Sequence, residues 1–299
     1  MMTFRARILT KRTTFLTWLF IALSSSAYSQ PLHWLVQKGK QEFLILGTVH
    51  VGSDTLYPLP ERIEPYLRES DGLILEADLS KQRVVLPTAN KGDFVVNLLS
   101  DSQLQQLETA AKTLGIPSSR LKQQPPWVVA LTLQQVQFSQ LGYEPALGVE
   151  KVLTQKAQVN KVPVFGLETM QFQIDLLGQQ PDNGKQMLLD TLSEWPYAQS
   201  NANCLIQSWK SGDKDNLEQL LQTENMNEEF ADQFIYSRNR QWVDTLLTKA
   251  SFSEGKFLVA VGTLHLVGSD NMISLLEKQG FTVESLQIPT KSGCEFMEP

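Results

Sequence analysis

Phe257-Leu258-Val259-Ala260-Val261-Gly262-Thr263-Leu264-His265-Leu266-Val267-Gly268-Ser269-Asp270 repeats, about 215 residues further on, the plan of Phe43-Leu44-Ile45-Leu46-Gly47-Thr48-Val49-His50-Val51-Gly52-Ser53-Asp54. In each copy an apolar run of strand character ends in Gly-Thr-x-His. A helix is expected to follow each. The first begins near Pro60, with Ile63 and Leu67 on its apolar side, and the second runs through Leu275-Leu276-Glu277-Lys278 and stops at Gly280. A further strand closes each unit: Gly72-Leu73-Ile74-Leu75-Glu76-Ala77, running into Asp78, and Phe281-Thr282-Val283-Glu284-Ser285-Leu286. A duplicated supersecondary unit constrains the fold more than any single motif. The pattern predicts an α/β (α+β) chain in which two strand–GxxH–helix–strand repeats form one central sheet.

Outward from these copies, His33 to Gln37 and Glu42 to Leu46 flank Lys38-Gly39-Lys40 and read as a hairpin. Between the copies lies a helical insertion, approximately residues 97–250, expected as a cap. Leu98, Leu104, Leu107, Ala111 and Leu114 recur at helical spacing, Pro125-Pro126-Trp127 breaks the run, and a second helix follows from about Val128 to Leu141. Gly148-Val149-Glu150 opens another helix, and Val162 to Leu167 is a strand ending in Glu168.

Composition narrows the function classes. Of the 299 residues, 42% are hydrophobic and 19% charged, as in an ordinary folded chain. Residues 1–29 differ: Arg5, Arg7, Lys11 and Arg12 precede an apolar run from Phe15 to Leu23, which ends in Ala27-Tyr28-Ser29. That layout is a secretory signal peptide, and the run is too short for a bilayer span. Residues 30–299 are then expected to form a single domain, exported to the periplasm or secreted, with no stable membrane span. Cleavage removes four basic and no acidic residues and takes the net charge from -6 to -10. Such an acidic chain lacks the footprint of a nucleic-acid binder. Cys204 and Cys294 are the only cysteines; they are compatible with one disulfide or with two buried thiols.

Histidine at a strand's end sits where open α/β sheets place their ligands. His50 and His265 are two of only three histidines, and their matching turns point to a shared site. Glu76 and Asp78 flank Ala77, so alternation predicts one face for both, while Glu150 and Glu168 fall at element boundaries. Two imidazoles plus a carboxylate such as Glu76 make a donor set for Zn²⁺, Mn²⁺ or Co²⁺, which would lower the pKa of a bound water. Imidazoles can equally move protons. Arg238 and Asn239 lie on a helix ahead of Trp242; Arg238 either binds a substrate carboxylate or oxyanion or pairs with Glu228-Glu229. His33 and Trp242 read as structural.

Taken in order, Gly47-Thr48-Val49-His50 with Tyr57-Pro58-Leu59-Pro60, Glu76-Ala77-Asp78, Gly148-Val149-Glu150, Gly166-Leu167-Glu168-Thr169, Arg238-Asn239 with Trp242, and Val261 to Gly268 resemble the TraB/GumN family, which is related to the Tiki metalloproteases that act on Wnt proteins. Glu-Ala-Asp stands where Glu-Leu-Asp is common in the family. The resemblance implies two ββα-type repeats with a helical insertion. It also implies a metal-dependent hydrolase site at His50, His265 and Glu76, most directly a peptidase. Arg238 and Asn239 would then act with them, and Asp78, Glu150 and Glu168 would contact a peptide or protein substrate. A non-catalytic peptide-binding or sequestering protein using the same cleft is the alternative.

Overall fold

The structure, a computed structural model, describes residues 29–78, 84–87, 89–222, 228–288 and 290–298. The leader expected over residues 1–29 lies outside these apart from Ser29. Among the described residues no helix is long and apolar enough to cross a membrane.

The fold is mixed α/β around one six-stranded sheet. β1 (His33–Lys38) and β2 (Gln41–Thr48) form the expected antiparallel hairpin. Their turn passes through Gly39 at φ +59°, a conformation that glycine adopts without cost. β3 is Gly72–Ala77, β4 Val164–Glu168, β5 Gly255–Gly262 and β6 Thr282–Ser285, in the order β4-β3-β5-β2-β1-β6. The strands that lead into the two turns, β2 and β5, are parallel neighbours at the centre, paired from Gln41↔Gly255 to Thr48↔Gly262. The duplicated turns therefore emerge side by side.

The repeats close differently. β3 returns parallel beside β5, whereas β6 returns antiparallel on the far edge, against β1. β4, from within the insertion, pairs parallel with β3, so the insertion supplies an edge strand as well as helices.

Strand alternation sends successive side chains to opposite faces. Phe43, Ile45, Val259 and Val261 join one buried cluster with Trp242, Val243 and Leu246 of the Ser237–Thr248 helix and Met272 and Leu276 of the Met272–Lys278 helix. Leu44, Leu46, Leu258 and Ala260 enter a second with Ile63 and Leu67 of the Ile63–Glu69 helix, Val149 and Leu153 of the Val149–Asn160 helix, and Trp209. With helices on both faces, β2, β3 and β5 read as nearly continuous apolar runs. A third cluster, including Leu107, Val129 and Leu188, joins the Asp101–Thr113, Pro126–Gln140 and Lys185–Ser193 helices away from the sheet. Pro126 opens its helix, where a missing N–H costs nothing.

Cys204 and Cys294 form a disulfide. It ties the C-terminal segment, whose Phe296 and Met297 wall a cavity, to the Ala198–Ser211 helix.

Candidate functional site

At the end of β2 the turn is locked from three sides. The Trp209 indole donates to the Gly47 carbonyl at 2.9 Å, Val149 N–H donates to the Val49 carbonyl at 3.1 Å, and Gly148 packs on the His50 backbone. A Cβ at residue 148 would lie 2.2 Å from the His50 oxygen, so only glycine allows this approach. The contact brings Glu150, first-turn residue of the Val149–Asn160 helix, to His50: Glu150 Oε1 is 2.9 Å from His50 Nδ1 and also accepts a bond from the Thr48 hydroxyl. His50 Nδ1 therefore carries a proton directed at the carboxylate, and Nε2 faces the cavity. Glu150, by its charge and its hydrogen bond, raises the imidazole to about 10, with Glu76 adding to the pull and Arg238 opposing it. The side chain is 73% exposed, so water screens part of that pull, while its direction follows from the contact. Burial alone would raise the Glu150 carboxyl, but His50 and Thr48 outweigh it and hold it low.

At the end of β5, Thr263–Leu266 forms a short 3-10 turn that buries His265. Asn239 fixes its ring. The amide Nδ2 donates to the carbonyls of His265 and Asp270, at 3.2 and 2.9 Å, so Oδ1 is left as acceptor for His265 Nδ1–H at 2.7 Å. Nε2 then bears the lone pair, and Arg238 Nη1 lies 3.3 Å from it. The ring also packs on Trp242, centroids 4.3 Å apart. Burial, helped by Arg238 and His50 and opposed by Glu76, pushes His265 down to about 3, so it is neutral at ordinary pH.

Glu76 joins the two turns. Its Oε1 accepts from Gly262 N–H at 2.7 Å, and its Oε2 accepts from Arg238 Nη2 at 2.8 Å and Gln173 Nε2 at 3.1 Å. Burial by itself would raise its carboxyl; His265, His50 and Arg238 together with the Gly262 amide bring it to about 2. With His265 neutral, that pull rests chiefly on His50, Arg238 and the amide. Arg238 is anchored from behind by Glu168, which accepts from Nη2 at 2.7 Å and from Nε at 3.2 Å, and by its place over the Trp242 ring. Trp242 Nε1 and Gln173 also donate to Glu168, at 2.9 and 2.8 Å. A methyl group at Gly262 would sit 3.1 Å from Glu76 Oε1, 3.6 Å from His265 Cδ2 and 4.0 Å from His50 Nε2, which locates the point where the three residues converge.

The structure thus brings together His50, Glu76, His265, Arg238, Asn239, Glu150 and Glu168. His50, Glu76, Arg238 and His265 border a cavity of about 330 Å³. Glu168 stands behind Arg238 and Asn239 behind His265, and neither lines that cavity; Glu150 borders an adjoining one. Asp78 is buried just past β3 and lines neither. Arg238 pairs with Glu76 and Glu168, not with Glu228-Glu229. Gln173, which bonds both Glu76 and Glu168, carries no signal in the sequence beyond lying one turn after a strand's end.

For a divalent ion the donors are only partly arranged. His265 Nε2 and Glu76 Oε1 are 3.8 Å apart, and Asn239 and Glu150 orient the two imidazoles as outer partners of metal ligands do. Yet Arg238, a permanent cation, faces both His265 Nε2 and Glu76, and among the described residues no three His, Cys, Asp or Glu side chains form a group that would hold an ion. As arranged, the set does not fit a divalent ion.

Fold and site define a class: mixed α/β proteins in which two Gly-Thr-x-His turns from neighbouring parallel strands meet over one buried ionic cluster. The chain matches the TraB/PrgY/gumN family over residues 32–285 and belongs to it. It is 32% identical over 260 residues, 86% of this chain and 96% of the relative, to Uncharacterized protein YbaP of Escherichia coli K12. It is 21% identical over 275 residues, 85% of this chain and 82% of the relative, to an uncharacterized protein of Treponema pallidum. A 66-residue stretch, 22% of this chain and 13% of the relative, is 33% identical to a protein of Amphimedon queenslandica named Metalloprotease TIKI homolog. No solved structure matches.

Proposed function

We propose that this chain is an exported hydrolase acting on peptides or proteins, with His50 as the residue that moves the proton. The observation carrying this reading is the orientation of His50: Nδ1 is held by Glu150 at 2.9 Å, and Nε2 faces the cavity bordered by Arg238, Glu76 and His265. A carboxylate on one ring nitrogen fixes the tautomer and supports the imidazolium that forms when the other nitrogen takes a proton. In the proposed reaction the unprotonated His50 ring, a minor form until pH approaches its raised pKa, takes a proton from a water at Nε2 as the water oxygen bonds to the scissile carbonyl carbon. The carbonyl electron pair moves onto oxygen, where Arg238 opposes the developing charge. The carbon–nitrogen bond then breaks, and His50 returns the proton to the departing amine. His265, neutral and fixed by Asn239, positions Arg238.

The leader-like residues 1–29 support export, and the Amphimedon relative's name supports peptide hydrolysis. A second form of the reading places a divalent metal on His50, His265 and Glu76, and needs Arg238 to withdraw from the last two. A second function, binding peptide without turnover, is favoured by one fact: two carboxylates already meet the Arg238 charge.

The test is digestion of a peptide mixture by the purified protein, followed by mass spectrometry, with and without chelator and alongside metal analysis. Cleavage that disappears in His50→Ala is expected. Cleavage surviving His50→Ala would sink the proposal. Loss on chelation, restored by one added metal, would favour the metal form, and stoichiometric peptide binding with no product the sequestering one.

A further inference from the structure

Three cavities lie in a row across the site. One of about 170 Å³, bordered by Glu150, Lys151, Thr154 and Gln173, shares His50 and Glu76 with the cavity of about 330 Å³. That middle chamber shares Phe138, Leu205 and Leu264 with a third of about 340 Å³, which Phe296 and Met297 help to wall. His50 and Glu76 are thus shared by a chamber of mixed polar and apolar lining and a more strongly apolar one.

The middle chamber is asymmetric. Its ionisable groups, His50, Glu76, Arg238 and the neutral His265, all belong to the polar cluster, and its other walls include Phe138, Leu205, Ile206, Phe234, Ile235 and Leu264. Phe234 and Ile235 come from a π-helical turn, Asp232–Tyr236, that leads straight into the Ser237–Thr248 helix carrying Arg238. An apolar wall and a cationic group are therefore set by one continuous backbone segment. The Arg238 N–H groups already meet the Phe234 carbonyl, His265, Glu76 and Glu168, so a ligand that satisfies this chamber offers a polar oxygen to His50, near the Arg238 charge, and an apolar body to the walls. A volume near the lower end of the roughly 300–1,000 Å³ typical of ligand sites admits one bulky group, not a folded surface.

We infer that the middle chamber receives a bulky apolar side chain, aromatic or long aliphatic, of an extended peptide whose carbonyl lies at His50. The peptide nature of the ligand rests on the proposed hydrolase reading; the apolar preference rests on the walls. Burial of such a side chain contributes its transfer free energy, which an acidic or basic one forfeits.

Binding is measured on the His50→Gln protein, which keeps a polar side chain at that position but removes the proposed base so that turnover does not enter, by calorimetry with Ala-Ala-Xaa-Ala-Ala peptides carrying Phe, Leu, Asp or Lys at the centre. The Phe and Leu peptides are expected to bind at least about ten-fold tighter than the other two. Leu205→Asp should abolish that preference; Phe138→Ser, at a partly exposed position, serves as a second variant if Leu205→Asp fails to fold. Equal affinities, no binding by any peptide, or an unaltered preference in a folded variant overturns the inference. Discrimination without cleavage by the unsubstituted protein supports the chamber and removes the hydrolase; cleavage indifferent to the central side chain does the reverse.

Discussion

Replacing Glu150 by Gln isolates the interaction on which the proton chemistry of His50 depends. The change keeps the shape of the side chain, so the contact to His50 Nδ1 at 2.9 Å and the Thr48 hydroxyl bond can both persist with an amide oxygen. What is lost is the charge. Two unit charges at that separation attract by about 1.4 kcal/mol even with water's full screening, and about four times that at the effective dielectric of a protein surface. The lower figure is the apt floor because the ring is open to the cavity, and it corresponds to about one pH unit. His50, raised to about 10 by Glu150, is therefore expected to titrate at least about one unit lower in Glu150→Gln, towards 6.5. The chain has three histidines, so their ring protons can be followed separately by NMR. His33, whose pKa burial lowers, and His265, at about 3, should titrate below His50. If the neutral ring is the base, hydrolysis should rise with pH through the His50 titration, and that limb should move to lower pH in the variant. The stability effect has a definite sign. A folded-state pKa above the unfolded value stabilises fully below about 6.5 and ceases to do so as pH rises through about 10, so the variant's deficit should shrink over that window. A wild-type His50 that titrates below 6.5, or does not move in Glu150→Gln, would refute the reasoning.

Three further outcomes follow from the same geometry. Arg238→Ala leaves Glu76 and Glu168 buried without their cation and should cost about 3–5 kcal/mol in denaturant unfolding, with loss of any hydrolysis. The two motif threonines should behave oppositely. Thr263→Val replaces a buried hydroxyl with no hydrogen-bond partner and should be neutral or stabilising by thermal melt, whereas Thr48→Val removes a donor to Glu150 and should destabilise by about 1–3 kcal/mol. Converting both Cys204 and Cys294 to Ser opens a loop with a sequence separation of 90 and, on chain entropy, should lower stability by about 4–5 kcal/mol relative to the oxidised protein.

How far the sequence revealed the site depends on the range of each contact. The apolar runs into Gly47 and Gly262, the hairpin around Gly39 and the helices broken at Pro125-Pro126 are local patterns, and the corresponding elements are present. The duplicated motif also indicated one shared position, because parallel pairing of β2 and β5 delivers both turns to the same sheet end. Which side chain meets which was not legible. Glu150 reaches His50 through the Val149–Val49 hydrogen bond and the close packing of Gly148, contacts across about 100 residues that no periodicity encodes. Arg238 has acids nearby in sequence at Glu228-Glu229, yet the fold offers it two buried carboxylates and a tryptophan face, and full desolvation favours that planar, multidentate fit. Gln173 is one glutamine among many until β3 and β4 are paired and Glu76 and Glu168 stand within its reach.

The central pairing of β2 with β5 has a consequence for when the molecule can act. Strand partners about 215 residues apart must find each other before His50, Glu76 and His265 become neighbours, and closing such a loop is among the slower events of folding. A chain that ends between Glu150 and β5 contains His50, Glu150 and Glu76 but neither Gly262 to hold Glu76 nor the second histidine. Docking of β5 thus acts as the timer: whatever chemistry the cluster performs starts only after nearly the last strand is in place, and proteolytic loss of the C-terminal fifth would silence it while sparing most of the chain.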